Sequence, residues 1–209
     1  MSAALLAAAA APIADRSLTS ELQVLADRLR RITVRVATTG ARFDGVGAGI
    51  IWPTGGRSIV ITNAHVVPRR RGDQLLVEDH AGRRAGAEVV ARDADRDLAV
   101  LALDALPGEW PAPAIIGDAR ALRAGEILVA LGHPFGVGGA LSFGIVHAAP
   151  TGDDGWVRAD VRLAPGNSGG PLATLDGAVV GINCMIARGL AIAVPAHVAD
   201  RFAAEVSAR

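Results

Sequence analysis

Apolar positions along this chain fall into short runs, and few of them form long stripes. Val- and Ile-rich stretches occupy residues 32–38, 46–52, 58–62, 75–78, 87–91, 98–103, 127–131, 141–147, 156–161, 178–182 and 190–194, with Gly, Pro, Asp or Asn at many of their boundaries. That pattern predicts a succession of short β-strands joined by turns. Strands at this spacing indicate an all-β barrel or sandwich, and the lack of alternation with long helices argues against a parallel α/β sheet. Helical periodicity occurs near the two ends. Leu18, Leu22, Leu25 and Leu29 share one face of a stretch that Ser17 or Thr19 caps and that ends on Arg28, Arg30 and Arg31, where cations suit the helix dipole. Residues 195–207 open on Pro195 and place Val198, Phe202 and Val206 on one face. The proline-rich stretch 107–113 reads as a linker that divides the strands into two sets, because proline donates nothing to a β-ladder.

One stretch does not fit a purely structural reading. Residues 164–171, Ala-Pro-Gly-Asn-Ser-Gly-Gly-Pro, put Ser168 among glycines that weaken regular structure. Such a turn aims main-chain N–H groups at one point, where a neighbouring hydroxyl can attack a carbonyl whose developing charge those groups stabilise. Taken alone, a glycine-rich hairpin turn with an incidental serine explains it equally well. A serine hydroxyl needs a base, and the base needs a carboxylate to orient it. The run 58–67 delivers His65 at the end of an apolar strand, and Asp97 leads directly into the strand at 98–103. All three candidates therefore sit at strand edges, in the order His65, Asp97, Ser168. An α/β-hydrolase also carries G-x-S-x-G, but that fold requires its acid and then its histidine after the serine. Asp176 and His197 are all that follow here, in a span too short for the required strands and helices.

Composition bounds the remaining classes. The chain has 209 residues, 51% of them hydrophobic and 20% charged, which suffices for a substantial core. Lys+Arg and Asp+Glu are equal at 21 each, so no net charge attracts nucleic acid or an acidic membrane surface. The alanine-rich N-terminus is too short to span a bilayer. It has the apolar run and small residues of an export signal but no basic start. Cys184 is the one cysteine, so no intrachain disulfide forms, and its apolar neighbours predict a buried small hydrophobe. His80, His133 and His147 show no metal-ligand spacing, and no dinucleotide or phosphate-cradling motif is present; no metal and no cofactor are expected. Arg69, Arg70 and Arg71 read as a solvated turn, and His197 as a surface or capping residue.

The motifs TNAHVV (62–67), DRDLAVL (95–101), LRAGEILVALGHPFG (122–136), SFGIV (142–146), APGNSGGPL (164–172) and GLAIAVP (189–195) resemble the trypsin-like serine proteases, and among them the HtrA (Deg) family. The resemblance runs over nearly the whole chain. It implies two six-stranded antiparallel β-barrels of the chymotrypsin/trypsin type, with an N-terminal helix and a C-terminal helix. Residues 1–16 are then a degenerate signal or an alanine-rich segment. Residues 17–111 form the helix and first barrel with His65 and Asp97, and residues 112–209 the second barrel with Ser168 and the C-terminal helix. The catalytic cleft falls between the barrels.

The resemblance implies a serine endopeptidase acting on unfolded or misfolded polypeptide through His65, Asp97 and Ser168, with the N–H groups of Gly166 and Ser168 as oxyanion hole. The alternative is a catalytically silent protease-fold protein that binds or chaperones chains; a serine esterase on this fold is not separated from a peptidase. By analogy Leu163, Ala187 and Leu190 line a substrate pocket suited to small or medium aliphatic side chains. Arg162 either points away, as an exposed residue, or points in and favours acidic side chains. Asn167 stands where zymogen-type relatives carry an aspartate, so activation by N-terminal cleavage is not expected. Ala164 and the stretch 46–49 depart from the family pattern, and within these residues no span remains for a PDZ module. Expected partners are the substrate polypeptide, with no nucleic acid and no transmembrane segment. A monomer or a homotrimer and a periplasmic or secreted location complete the expectation.

Overall fold

The computed structural model describes residues 13–39, 46–53, 59–68, 74–104, 112–134, 137–152 and 155–207. The arginine run at 69–71, the alanine-rich residues 1–12 and most of the linker at 107–113 lie outside the described residues.

Among the described residues, twelve strands follow helix α1 (Ile13–Ile32) and precede helix α2 (Ala196–Ser207). The first six are β1 (Thr33–Thr39), β2 (Val46–Trp52), β3 (Ile59–Thr62), β4 (Gln74–Glu78), β5 (Arg84–Asp93) and β6 (Leu98–Leu103). They close an antiparallel barrel in the order β1-β2-β3-β6-β5-β4. The second six are β7 (Ile127–Gly132), β8 (Ala140–Ala148), β9 (Val157–Asp160), β10 (Pro171–Thr174), β11 (Val179–Ala187) and β12 (Leu190–Pro195). They close a second barrel of the same winding, β7-β8-β9-β12-β11-β10. The all-β double barrel with a helix at each end is therefore the fold expected from the sequence.

The continuous apolar runs have a simple cause. Alternate side chains of a strand point to opposite faces, and in the strands between the barrels both faces are buried. Ile51, Val60, Ala99 and Leu101 fill the first barrel, whereas Ile50, Trp52, Ile59, Ile61, Leu98 and Val100 face outward into a shared core. From the other side, Val180, Ala191 and Ala193 fill the second barrel, while Val179, Ile182, Cys184 and Val194 meet the same shared core. Helix α2 covers that core with Val198, Ala199 and Phe202. Each large apolar side chain so buried stabilises the fold by about 1.5–3 kcal/mol. The buried Trp52 indole N–H donates to Asp200 Oδ1 at 3.1 Å, which pins α2 to the first barrel.

Helix α1 leads into β1 but packs on the second barrel. Leu25 and Leu29 bury against Val129, Leu131 and Ala173, and Thr33 Oγ1 closes its last turn by donating to Leu29 O at 2.7 Å. The helix begins at Ile13, four residues before the start expected at Ser17. Strand β10 went unseen among the sequence runs. It is four residues long, begins on a proline and emerges from a glycine run, so it carries no alternation to detect. Its antiparallel pairing with β7 and β11 nonetheless closes the second barrel. The stretch 46–49, which departs from the family pattern, is the start of β2, the strand expected over 46–52. No helix among the described residues is long and apolar enough to cross a membrane.

Candidate active site

Strands β3 and β6 are antiparallel neighbours, with Thr62 opposite Ala99. The segment leaving β3 and the segment entering β6 therefore emerge at the same barrel end. The first carries His65, the second Asp97. The turn 93–97 is built by Asp93, whose Oδ1 accepts from the N–H groups of Asp95 at 3.0 Å and Arg96 at 2.9 Å. Of the aspartates in this stretch, Asp93 thus shapes the turn and Asp97 is presented by it. Asp97 has φ 53°, a left-handed conformation rare outside glycine. The buried Asn63 side chain holds it there, donating from Nδ2 to Asp97 O at 2.9 Å.

The Asp97 carboxylate accepts three hydrogen bonds. Its Oδ1 takes the His65 backbone N–H at 2.9 Å, and its Oδ2 lies 2.7 Å from His65 Nδ1 and 2.9 Å from Cys184 Sγ. Burial raises the carboxyl's proton affinity, but the hydrogen bonds from His65 and Cys184 outweigh it and hold Asp97 below the usual carboxylate range. The carboxylate is therefore ionised wherever the protein is folded near neutral pH. Burial, reinforced by the hydrogen bond to the Asp97 carboxylate, pushes the Cys184 thiol far above its ordinary range, so the thiol stays protonated and acts as a donor.

Ser168 comes from the second barrel, on the turn that feeds β10. Two backbone bonds anchor this turn to β11, from Gly169 N to Asn183 O and from Asn183 N to Gly170 O, both at 2.8 Å. A third crosses the cleft from Ala48 N in β2 to Ser168 O at 2.8 Å. Gly169 explains why glycine is needed here. Its φ is +84°, and a Cβ would stand 2.0 Å from Ala48 O and 2.3 Å from Thr62 Oγ1, so any side chain would force the two barrels apart. At Gly166, φ is +104° and a Cβ would stand 2.3 Å from His133 O. Within the turn, the N–H groups of Asn167 and Gly170 donate internally, to Ala164 O and Asn167 O, while that of Gly169 goes to Asn183 O. Those of Gly166 and Ser168 have no acceptor among the described residues.

The Ser168 hydroxyl donates to Cys184 O at 3.0 Å. Cys184 thus touches two of the three residues singled out from the sequence: its carbonyl meets Ser168 and its thiol meets Asp97. The sequence reading placed Cys184 correctly as buried but missed this contact. The signal was its position on the strand following the glycine-rich turn, obscured by apolar neighbours.

The predicted pocket residues are arranged unevenly. Ala187 and Leu190 are cross-strand partners flanking the Arg188-Gly189 turn, where both residues have positive φ as a tight hairpin requires. Ala187 is exposed and Leu190 half-buried. Leu163 is half-buried against the core of the second barrel. Arg162 is exposed, and its carbonyl accepts from Ser142 Oγ at 2.6 Å. Asn167 is buried. His80 and His147 are exposed, whereas His133 is buried with its N–H on Gly166 O at 3.0 Å.

Residues 47–182 match the profile of the trypsin-like peptidase domain. Among curated proteins, the chain is 39% identical over 172 residues to a "Probable periplasmic serine endoprotease DegP-like" of Halomonas elongata, covering 74% of this chain and 33% of that protein. It is 35% identical over 169 residues to "Serine protease HTRA1" of Xenopus laevis, covering 76% of this chain and 36% of the relative. A DegP-like relative from Pseudomonas savastanoi pv. phaseolicola is 33% identical over 212 residues, covering 90% of this chain and 43% of its own length. The chain thus spans about a third to two fifths of the relatives it matches.

Proposed function

Because the chain belongs to the trypsin-like peptidase family, we propose that it is a serine endopeptidase acting on unfolded or misfolded polypeptide. The observation that supports this reading most is the 2.7 Å contact between His65 Nδ1 and Asp97 Oδ2, made beside the turn that carries Ser168. With Nδ1–H donated to the carboxylate, His65 keeps its Nε2 lone pair free as a base. Ser168 Oγ attacks the scissile carbonyl carbon while its proton passes to Nε2, and the imidazolium formed is stabilised by Asp97. The oxyanion accepts from the N–H groups of Gly166 and Ser168, donors whose individual loss typically lowers turnover about 10²–10³-fold. Protonation of the amine by His65 breaks the peptide bond, and water then releases the acyl group by the same steps in reverse.

The bond from the Ser168 hydroxyl to Cys184 O favours a second reading, a protein whose serine is held away from its base and which only binds chains. Magnitude decides between them. A single neutral hydrogen bond contributes on the order of 1 kcal/mol, and a serine side chain turns among staggered rotamers, so one such contact does not silence the hydroxyl. Leu163, Ala187 and Leu190 form the substrate pocket in this reading, and exposed Arg162 points to solvent, which favours aliphatic side chains on the acyl side of the cut. The DegP-like relatives named periplasmic support a location outside the cytoplasm.

A fluorophosphonate probe together with casein hydrolysis tests the proposal. Wild type is expected to be labelled on Ser168 and to cleave casein, and Ser168→Ala to do neither while keeping its fold. Hydrolysis at the wild-type rate by Ser168→Ala would overturn it, and absence of labelling under all conditions would favour the binding protein.

A further inference from the structure

His65, Asp97 and Cys184 form more than a hydrogen-bonded chain. Their ligand atoms, an imidazole nitrogen, a carboxylate oxygen and a thiol sulfur, all lie within 4.8 Å of one another. This is a mixed N, O and S set of the kind that divalent zinc prefers. Zinc bonds these donors at about 2.0–2.3 Å, which sets them roughly 3.3–3.8 Å apart in a tetrahedron. The present separations are 2.7 Å for His65 Nδ1 to Asp97 Oδ2 and 2.9 Å for Cys184 Sγ to Asp97 Oδ2. Opening each by about an ångström or less admits the ion. Access is from the His65 side, whose side chain is 47% exposed against 17% for Asp97. That open side leaves the fourth coordination position to solvent.

We infer that His65, Asp97 and Cys184 constitute an inhibitory zinc site, in which the metal replaces the hydrogen bonds that join these residues. The ligation balances simply. The thiol proton leaves to solvent, Asp97 Oδ2 and Cys184 Sγ each bond the metal, and His65 bonds it through Nδ1. A neutral imidazole carries one N–H. With Nδ1 on the metal, that proton resides on Nε2, the atom that would otherwise take the proton of Ser168. Zinc therefore removes the base and disconnects it from its carboxylate in a single event. The loss of activity rests on the peptidase reading above; the metal binding does not.

Cobalt(II) is the probe, since a thiolate on cobalt gives a near-ultraviolet charge-transfer band. The full chain is titrated with cobalt and then with zinc, and zinc inhibition is scored for wild type and Cys184→Ser, each against its own zinc-free rate. Expected is a band in wild type that zinc displaces, no band in Cys184→Ser, and at least tenfold weaker cobalt binding in His65→Ala and Asp97→Ala. Zinc should inhibit wild type at least tenfold more potently than Cys184→Ser. No band in wild type, or unchanged cobalt affinity in His65→Ala, whose side chain is exposed and whose loss leaves the core intact, overturns the site. Zinc that saturates the band without slowing hydrolysis overturns the inhibition. A band in a wild type that hydrolyses nothing sustains the site and sinks the peptidase reading instead.

Discussion

Cys184 Sγ stands 2.9 Å from Asp97 Oδ2, so a strand of the second barrel supplies a donor to the carboxylate that the first barrel presents. The contact joins the two halves at the proposed catalytic centre. Removing the thiol leaves Asp97 with one fewer donor and a small void. Cys184→Ala is expected to lower kcat about five- to tenfold, corresponding to about 1 kcal/mol for a weak donor on a charged acceptor. Cys184→Ser, which restores a donor, should recover most of that loss. Steady-state kinetics on a peptide substrate checks both, and equal rates for Ala and wild type would remove Cys184 from the positioning of Asp97.

Gly169 fixes how the serine turn seats against the first barrel. A methyl there meets the Ala48 carbonyl at 2.0 Å and is strained by φ +84°. Gly169→Ala is expected to destabilise the protein by about 3 kcal/mol or more. Denaturant unfolding measures this, and loss of fluorophosphonate labelling before loss of secondary structure would show that the turn yields first.

Burial, reinforced by the Arg35 guanidinium, holds the His133 imidazole below its ordinary range. Above a pH of about 6.5 both folded and unfolded chains carry this group neutral. Below it, the unfolded chain takes up a proton that the folded chain resists, so stability is complete above that pH and is lost as pH falls toward the folded value. The melting temperature of wild type should therefore drop between pH 7.5 and 5.5, and less so in His133→Gln. Parallel curves for the two proteins would count against this assignment.

Asp200 accepts the indole N–H of the fully buried Trp52. In Asp200→Ala that donor loses its partner, at a cost of about 1 kcal/mol. For a chain of this size the expected fall in Tm is about 2–4 °C. Calorimetry tests it, with Trp52→Phe as a control in which the removal of Asp200 should have no further effect.

The sequence by itself determined all but one of the described strands, because each of those is written as an apolar run, and it determined the candidates, because a serine among glycines, a histidine at a strand end and an aspartate at a strand start are residue types suited to chemistry at turns. It left β10 invisible, since four residues that begin on a proline carry no period. Only the tertiary structure decided what meets across the cleft. Cys184 reads as one more apolar position in its run, yet closure of two barrels on a shared core brings its thiol to Asp97, distant in sequence, and its carbonyl to Ser168. Side-chain period reports which face is buried; it does not report what is buried against it, because that depends on packing between elements that the chain separates.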